Sequence, residues 1–229
     1  MGESADIRAI NNRRGRVFVW NRSSNSTWAL QAKLTINNSD QFQVGMSLTM
    51  SRDGRTLVAG SMKGVFMWTL SSTGVWALMT SGRQMLKNST QGGYVALSSD
   101  GRTLAAAAGQ KVEIWAYSDN RIWMRKRVAQ PQLQSPEVSF LSVALSNNGN
   151  TLAIGCIGFG RLEDHVQMMG LSANGTWVSV GPQVVSTPRA IATAAFGSVM
   201  ALSGSGLTLA VGNTVESNTG ATYVFKAGA

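Results

Sequence analysis

One short motif, Ser-x-Asp/Asn-Gly-x-Thr-Leu, recurs along this chain and constrains its fold more than any other feature. Ser51-Arg52-Asp53-Gly54-Arg55-Thr56-Leu57, Ser98-Ser99-Asp100-Gly101-Arg102-Thr103-Leu104 and Ser146-Asn147-Asn148-Gly149-Asn150-Thr151-Leu152 are three copies. Ser203-Gly204-Ser205-Gly206-Leu207-Thr208-Leu209 is a fourth, with Ser205 in the Asp slot. Each copy lies between two apolar alternating runs. Asp-Gly or Asn-Gly in that setting is a strong hairpin signal, because a tight turn needs positive φ and these residues accept it. The unit is strand, tight turn, strand.

A second element follows each copy. It is a short apolar strand ending in a large residue: Val65-Phe66-Met67-Trp68, Val112-Glu113-Ile114-Trp115, Val166-Gln167-Met168-Met169 and Thr222-Tyr223-Val224-Phe225. A fifth version, Val17-Phe18-Val19-Trp20, stands near the N-terminus with no turn motif before it. Another Trp comes eight residues later: Trp20 to Trp28, Trp68 to Trp76, Trp115 to Trp123 and Met169 to Trp177. All seven Trp of the chain fall in these two slots, which predicts that they pack as core. The unit therefore has four strands. Its spacing is 47 residues from Trp68 to Trp115 and 54 from Trp115 to Met169.

Periods of this size with four strands per unit mark a β-propeller, in which each unit is one blade. A lone four-stranded meander cannot cover both its faces, whereas stacked blades bury them against neighbours. The run from Phe196-Gly197 through Leu209-Ala210-Val211-Gly212 to Gly220-Ala221-Thr222-Tyr223-Val224-Phe225 resembles an FG-GAP repeat, the propeller repeat of integrin-α-like proteins. So does the stretch from Gly15 to Phe42. The resemblance implies an all-β small β-propeller of four-stranded blades. The repeats are degenerate: in the strand before the tight turn the Phe-Gly pair is intact only at Phe196-Gly197, and the family's calcium loop is absent. The turns hold at most one carboxylate each, so no structural calcium and no cofactor are expected.

The ends of the chain bear on blade number. Counting strands that end in a large residue gives five units, and counting turns gives four. The N-terminus brings only a third and a fourth strand, residues 15–20 and 28–34. The C-terminus brings the first three, within 196–225. Five blades are favoured over four, with a thin N-terminal blade abutting the C-terminal one to close the ring. Residues 1–14 are a polar arm, within which 5–10 could add a strand, and residues 15–229 are one propeller domain.

Charge is uneven. Residues 1–127 carry 17 Lys/Arg and 7 Asp/Glu, a net of +10; residues 128–229 carry 3 and 4, a net of −1. Arg22, Arg52, Arg55, Arg102 and Arg121 should gather on the tight-turn face. The long connection Ile157–His165, with Arg161, Glu163, Asp164 and His165, should emerge on the opposite face beside Asn213–Gly220. Long irregular loops on a regular scaffold are where binding usually resides. These two surfaces are the candidate binding sites. The basic half suits an acidic protein partner and admits an anionic polysaccharide. Nucleic acid is not expected, because the aromatics are not interleaved with the basic residues as stacking would need.

Catalytic patterns are missing. There is no nucleophile elbow, phosphate loop or zinc spacing. His165, the single histidine, reads as a surface-loop residue. Asp53 and Asp100 read as turn residues satisfying local backbone donors, because Asn148 and Ser205 fill the same slot. The lone Cys156 reads as a buried, inert thiol. Five glycosylation sequons, at Asn21, Asn25, Asn37, Asn88 and Asn174, are near what such a composition yields by chance. No apolar run is long enough to span a membrane. The function expected on these grounds is a non-enzymatic interaction or structural module, in a larger assembly or of adhesion type. A carbohydrate-binding propeller is the alternative.

Overall fold

The computed structural model describes residues 2–3, 15–36, 43–62, 64–79, 93–108, 111–120, 122–126, 138–158, 164–185, 195–214 and 219–227. These residues form strands and turns only. The first sheet runs in the order β1 (Gly2–Glu3), β2 (Arg16–Arg22) and β3 (Trp28–Leu34). The second is β4 (Ser47–Met50), β5 (Thr56–Ser61), β6 (Gly64–Leu70) and β7 (Trp76–Leu78). The third is β8 (Tyr94–Leu97), β9 (Thr103–Ala108), β10 (Lys111–Tyr117) and β11 (Trp123–Lys126). The fourth is β12 (Val138–Leu145), β13 (Thr151–Gly158), β14 (His165–Leu171) and β15 (Trp177–Ser179), with β16 (Val184–Val185) further along β14. The fifth is β17 (Phe196–Leu202), β18 (Thr208–Asn213) and β19 (Ala221–Lys226). Every pairing is antiparallel, as up-and-down meanders require.

The fold is a small all-β propeller of four blades, each built on one copy of the turn motif. The five blades favoured by counting strands are not supported. The N-terminal sheet lacks the turn hairpin, and its third member, β1, is only two residues long. The chain divides into two compact units, Met1–Val95 and Ala96–Ala229.

The repeated turn owes its shape to its serine. Ser98 N–H donates to Thr103 O at 2.8 Å, and Gly101 N–H closes back on Ser98 O at 2.9 Å. Ser98 Oγ donates to Asp100 Oδ1 at 2.5 Å and accepts from Thr103 N at 2.9 Å. Asp100 Oδ1 also accepts from Arg102 N at 2.9 Å. Only the glycine takes positive φ: Gly54, Gly101, Gly149 and Gly206 lie between 69° and 76°. The loop is therefore a turn closed by the glycine within a longer connection, and not the two-residue hairpin that Asp-Gly alone suggests. Ser51 and Ser146 repeat the same bonds with Asp53 and Asn148. Replacing the buried Ser98 by alanine leaves Thr103 N–H without its acceptor and Asp100 without its hydroxyl donor. The expected cost is about 2 kcal/mol. It should read as a lower urea midpoint at unchanged m-value.

Within the first unit, Val17, Val19 and Leu34 of the N-terminal sheet share a core with Leu57, Ala59, Phe66 and Trp68 of the second. Within the second unit, the third and fourth sheets meet around Ala105, Ile114, Leu152, Ile154, Met169 and Trp177. The fourth and fifth sheets meet around Ala153, Val166, Phe196, Leu209 and Val211. The Trp slots do not all behave as core. Trp68 and Trp177 are buried, but Trp20 and Trp28 are exposed. The reason is layering. β6 is buried on both faces along Gly64–Trp68, whereas β2 buries Val17 and Val19 and turns Trp20 outward.

Adjacent turns are also tied by main-chain bonds. Ser99 N–H donates to Asn147 O at 3.0 Å, and Asn147 N–H donates to Gly204 O at 2.9 Å. Strands pack closest at a glycine. A Cβ on Gly155 would lie 2.1 Å from Gly197 O and 2.5 Å from Ser142 Oγ, and that hydroxyl donates to Gly197 O. The first unit repeats the device at Gly60, where a Cβ would lie 1.7 Å from Gly93 O.

Candidate functional site

Four of the five arginines singled out in the sequence, Arg22, Arg52, Arg55 and Arg102, stand in or beside turns. Arg22 closes β2 beside the Ser23–Thr27 turn, where its Nη2 donates to Ser26 Oγ at 3.0 Å. Arg52 and Arg55 stand in the Ser51–Thr56 turn, and Arg55 Nη2 donates to Leu70 O at 3.1 Å. Arg102 pairs with Asp119, a residue of the next turn along its own sheet. Arg55 and Arg102 are thus spent in part on fastening turns. Arg121 lies outside the described residues.

The opposite ends of the fourth and fifth sheets meet at Asp164. Its Oδ1 accepts from Gly158 N at 3.0 Å, and its Oδ2 accepts from Phe196 N at 3.2 Å. One carboxylate therefore ties the last residue of β13 to the first of β17. Burial raises its pKa above the ordinary aspartate value, opposed by those two N–H donors and by the nearby His165. The folded state thus holds this proton to higher pH than the unfolded chain does. Asp164 stabilises the fold less as pH rises through that window, and the penalty is relieved as pH falls back to the ordinary carboxylate range.

His165 is not a loop residue. It opens β14 and pairs across the ladder with Cys156. β13 continues through Cys156 to Gly158, so the connection is shorter than the sequence pattern implies. Arg161 and Glu163 lie outside the described residues. Cys156 is buried, and desolvation pushes its thiol pKa up to about 12, so it stays protonated and unreactive. At the start of β17 the register shifts between Phe196 and Val199, with Gly197 at φ 84°. Ser198 Oγ in this bulge is a buried oxygen without a hydrogen-bond partner among the described residues. Asn213, paired with Phe196 across the ladder, is also buried. The strand-end site thus holds a carboxylate, an imidazole and several buried polar groups. Among the described residues, no three His, Cys, Asp or Glu side chains converge as metal ligands.

Sequence reasoning singled out Asp164 and His165 but missed Ser142, Gly155 and Gly197. A signal was present: Gly60, Gly155 and Gly212 each stand four residues after the motif threonine, Thr56, Thr151 and Thr208.

No family profile matches the chain, and no curated protein matches it. Solved structures do. A 6-phosphogluconolactonase candidate from Bacteroides uniformis superposes with a TM-score of 0.61 at 15% identity, over 95% of this chain and 65% of that one. The periplasmic gluconolactonase of Pseudomonas aeruginosa gives 0.59 at 15% identity, over 92% and 60%. The Cps50 (Swd1) β-propeller domain of Myceliophteria thermophila gives 0.52 at 23% identity, over 84% and 55%. The chain thus spans between 55% and 65% of the length of these three structures. Two of the three are lactonases by description, and this overturns the expectation of a non-enzymatic module. No helix among the described residues is long and apolar enough to cross a membrane. At these identities the likeness shows the fold alone, and that fold is a small four-bladed β-propeller.

Proposed function

We propose that this chain is a lactone hydrolase whose reactive centre lies at Asp164 and His165. The observation that carries the reading is Asp164, a half-buried carboxylate of raised pKa beside the one imidazole of the chain, at the strand ends of the fourth and fifth sheets. Perturbed carboxylates next to a histidine are candidates for acid–base work. The likeness to two lactonase propellers supplies the substrate class, a sugar lactone. In this reading the His165 imidazole takes a proton from water as the water oxygen attacks the lactone carbonyl. The tetrahedral adduct then collapses, the ring C–O bond breaks, and the departing ring oxygen recovers the proton. The product is the open hydroxy acid. Asp164 favours the imidazolium formed in the first step and holds β13 and β17 in place around it.

Acid release from glucono-δ-lactone and its 6-phosphate, followed at constant pH, tests this. The full chain should exceed the uncatalysed rate. His165→Gln and Asp164→Asn should each lower kcat by about a hundredfold or more, the range for losing a positioned acid–base group. No release above background from either lactone would defeat the reading.

The repeat type belongs to the same proposal. We read the blades as FG-GAP-like, supported by the Phe196-Gly197 pair at the β17 bulge, where the glycine takes φ 84°.

A further inference from the structure

The outward face of the N-terminal sheet interleaves aromatic and cationic side chains. Across β2 and β3, Phe18 pairs with Lys33, Trp20 with Leu30 and Arg22 with Trp28. Cross-strand partners project to one side of a sheet, and residues 18, 20 and 22 of one strand share a face. That face therefore includes Phe18, Trp20, Arg22, Trp28, Leu30 and Lys33. The other face, with Val17, Val19 and Leu34, is buried against the second sheet. A bulge in β3 between Ala32 and Leu30 preserves this sorting past Gln31.

Trp20 is 46% exposed, Trp28 64% and Leu30 50%. Lys33 Nζ stands 5.6 Å from the centroid of the Phe18 ring. Large apolar groups this exposed on a regular sheet mark a contact surface more often than a scattered surface residue. The two cations flank the aromatics along the strands. Residues 1–34 as a whole carry 6 Lys/Arg and 2 Asp/Glu.

We propose that this face binds single-stranded nucleic acid. Bases would stack on Trp28, Trp20 and Phe18, and phosphates would lie against Arg22 and Lys33. Stacking platforms beside a positive track suit single strands, because every base offers a flat π-face and every linkage a charge. A neutral sugar would stack without using the cations, and a sulfated polysaccharide would use the cations without needing indoles. Along the sequence the aromatics and basic residues look separate. Strand pairing is what interleaves them.

Fluorescence anisotropy of a labelled twelve-residue oligodeoxythymidine, titrated with the full chain from low to physiological salt, tests this. Binding is expected at low salt. The double variant Trp20→Ala, Trp28→Ala should weaken it by at least about tenfold, within the range for losing stacked bases. Arg22→Ala with Lys33→Ala should reduce the slope of log affinity against log salt by about 1.4, two phosphate contacts at roughly 0.7 each on a single strand. Both pairs are exposed, so unchanged melting should accompany both effects; the arginine–lysine pair gives an independent reading should the tryptophan variant not fold. Absence of binding at low salt, full binding by a folded tryptophan variant, or equal competition by an abasic oligomer or a sulfated polysaccharide would overturn the proposal.

Discussion

Gly155→Ala is expected to be among the most damaging single substitutions in the second unit. A Cβ there would sit 2.1 Å from Gly197 O, a main-chain atom that cannot swing aside. It would also meet Ser142 Oγ at 2.5 Å, the hydroxyl that donates to that same oxygen. Accommodation would require β13 to move from β17 and the serine bond to break. Overpacking of this kind costs about 3 kcal/mol, which corresponds to a midpoint lowered by roughly 6–12 °C in a chain of this size. Calorimetry or circular dichroism melting checks it. A variant that melts with the parent would mean that the strands are not held this closely. Gly212→Ala is the internal comparison, since the nearest atom to its Cβ, Val199 O, is 3.5 Å away.

Trp177→Ala and Trp28→Ala should differ sharply although the two residues occupy the same slot of the repeat. Trp177 is 1% exposed and lies in the core shared by the third and fourth sheets, with Ile114, Leu152 and Met169. Its removal deletes the largest side chain of that cluster and leaves a cavity, at a cost of about 3–5 kcal/mol. Trp28 is 64% exposed on the N-terminal sheet. Truncating it should change stability by no more than about 0.5 kcal/mol, as for ordinary surface positions. The pair of melting curves decides the matter. Similar losses for both would mean that Trp28 is covered in solution.

The turns were readable from residues because their chemistry is local. Ser98, Asp100, Gly101 and Thr103 bond one another within six positions. Strand order followed from the same spacing. Blade number did not, since a strand ending in a large residue looks alike whether or not a turn hairpin precedes it. Burial of the tryptophans was only half readable. Sequence gives the alternation along a strand, but which face has a neighbour depends on where the sheet lies among the layers. The candidate site was readable as two residues, Asp164 and His165, and not as an arrangement. Asp164 receives its donors from residues 6 and 32 positions away, and only tertiary structure sets such distances. The same holds for the aromatic and cationic face, which exists through the pairing of Phe18, Trp20 and Arg22 with Lys33, Leu30 and Trp28.

The bonds between turns bear on how such a chain can diverge. Ser99, Asn147 and Gly204 occupy one slot of the motif, and each joins the neighbouring turn through main-chain atoms. The link common to the slot is made by peptide groups, whatever the side chain; Ser99 Oγ adds a bond to Asn147 Oδ1 at 2.8 Å, and the bare Gly204 leaves room for the Asn147 amide. A duplicated repeat would arrive with its connector already built, and a deleted one would leave compatible ends. Arrays of this kind can therefore change length by whole units while their sequences drift apart.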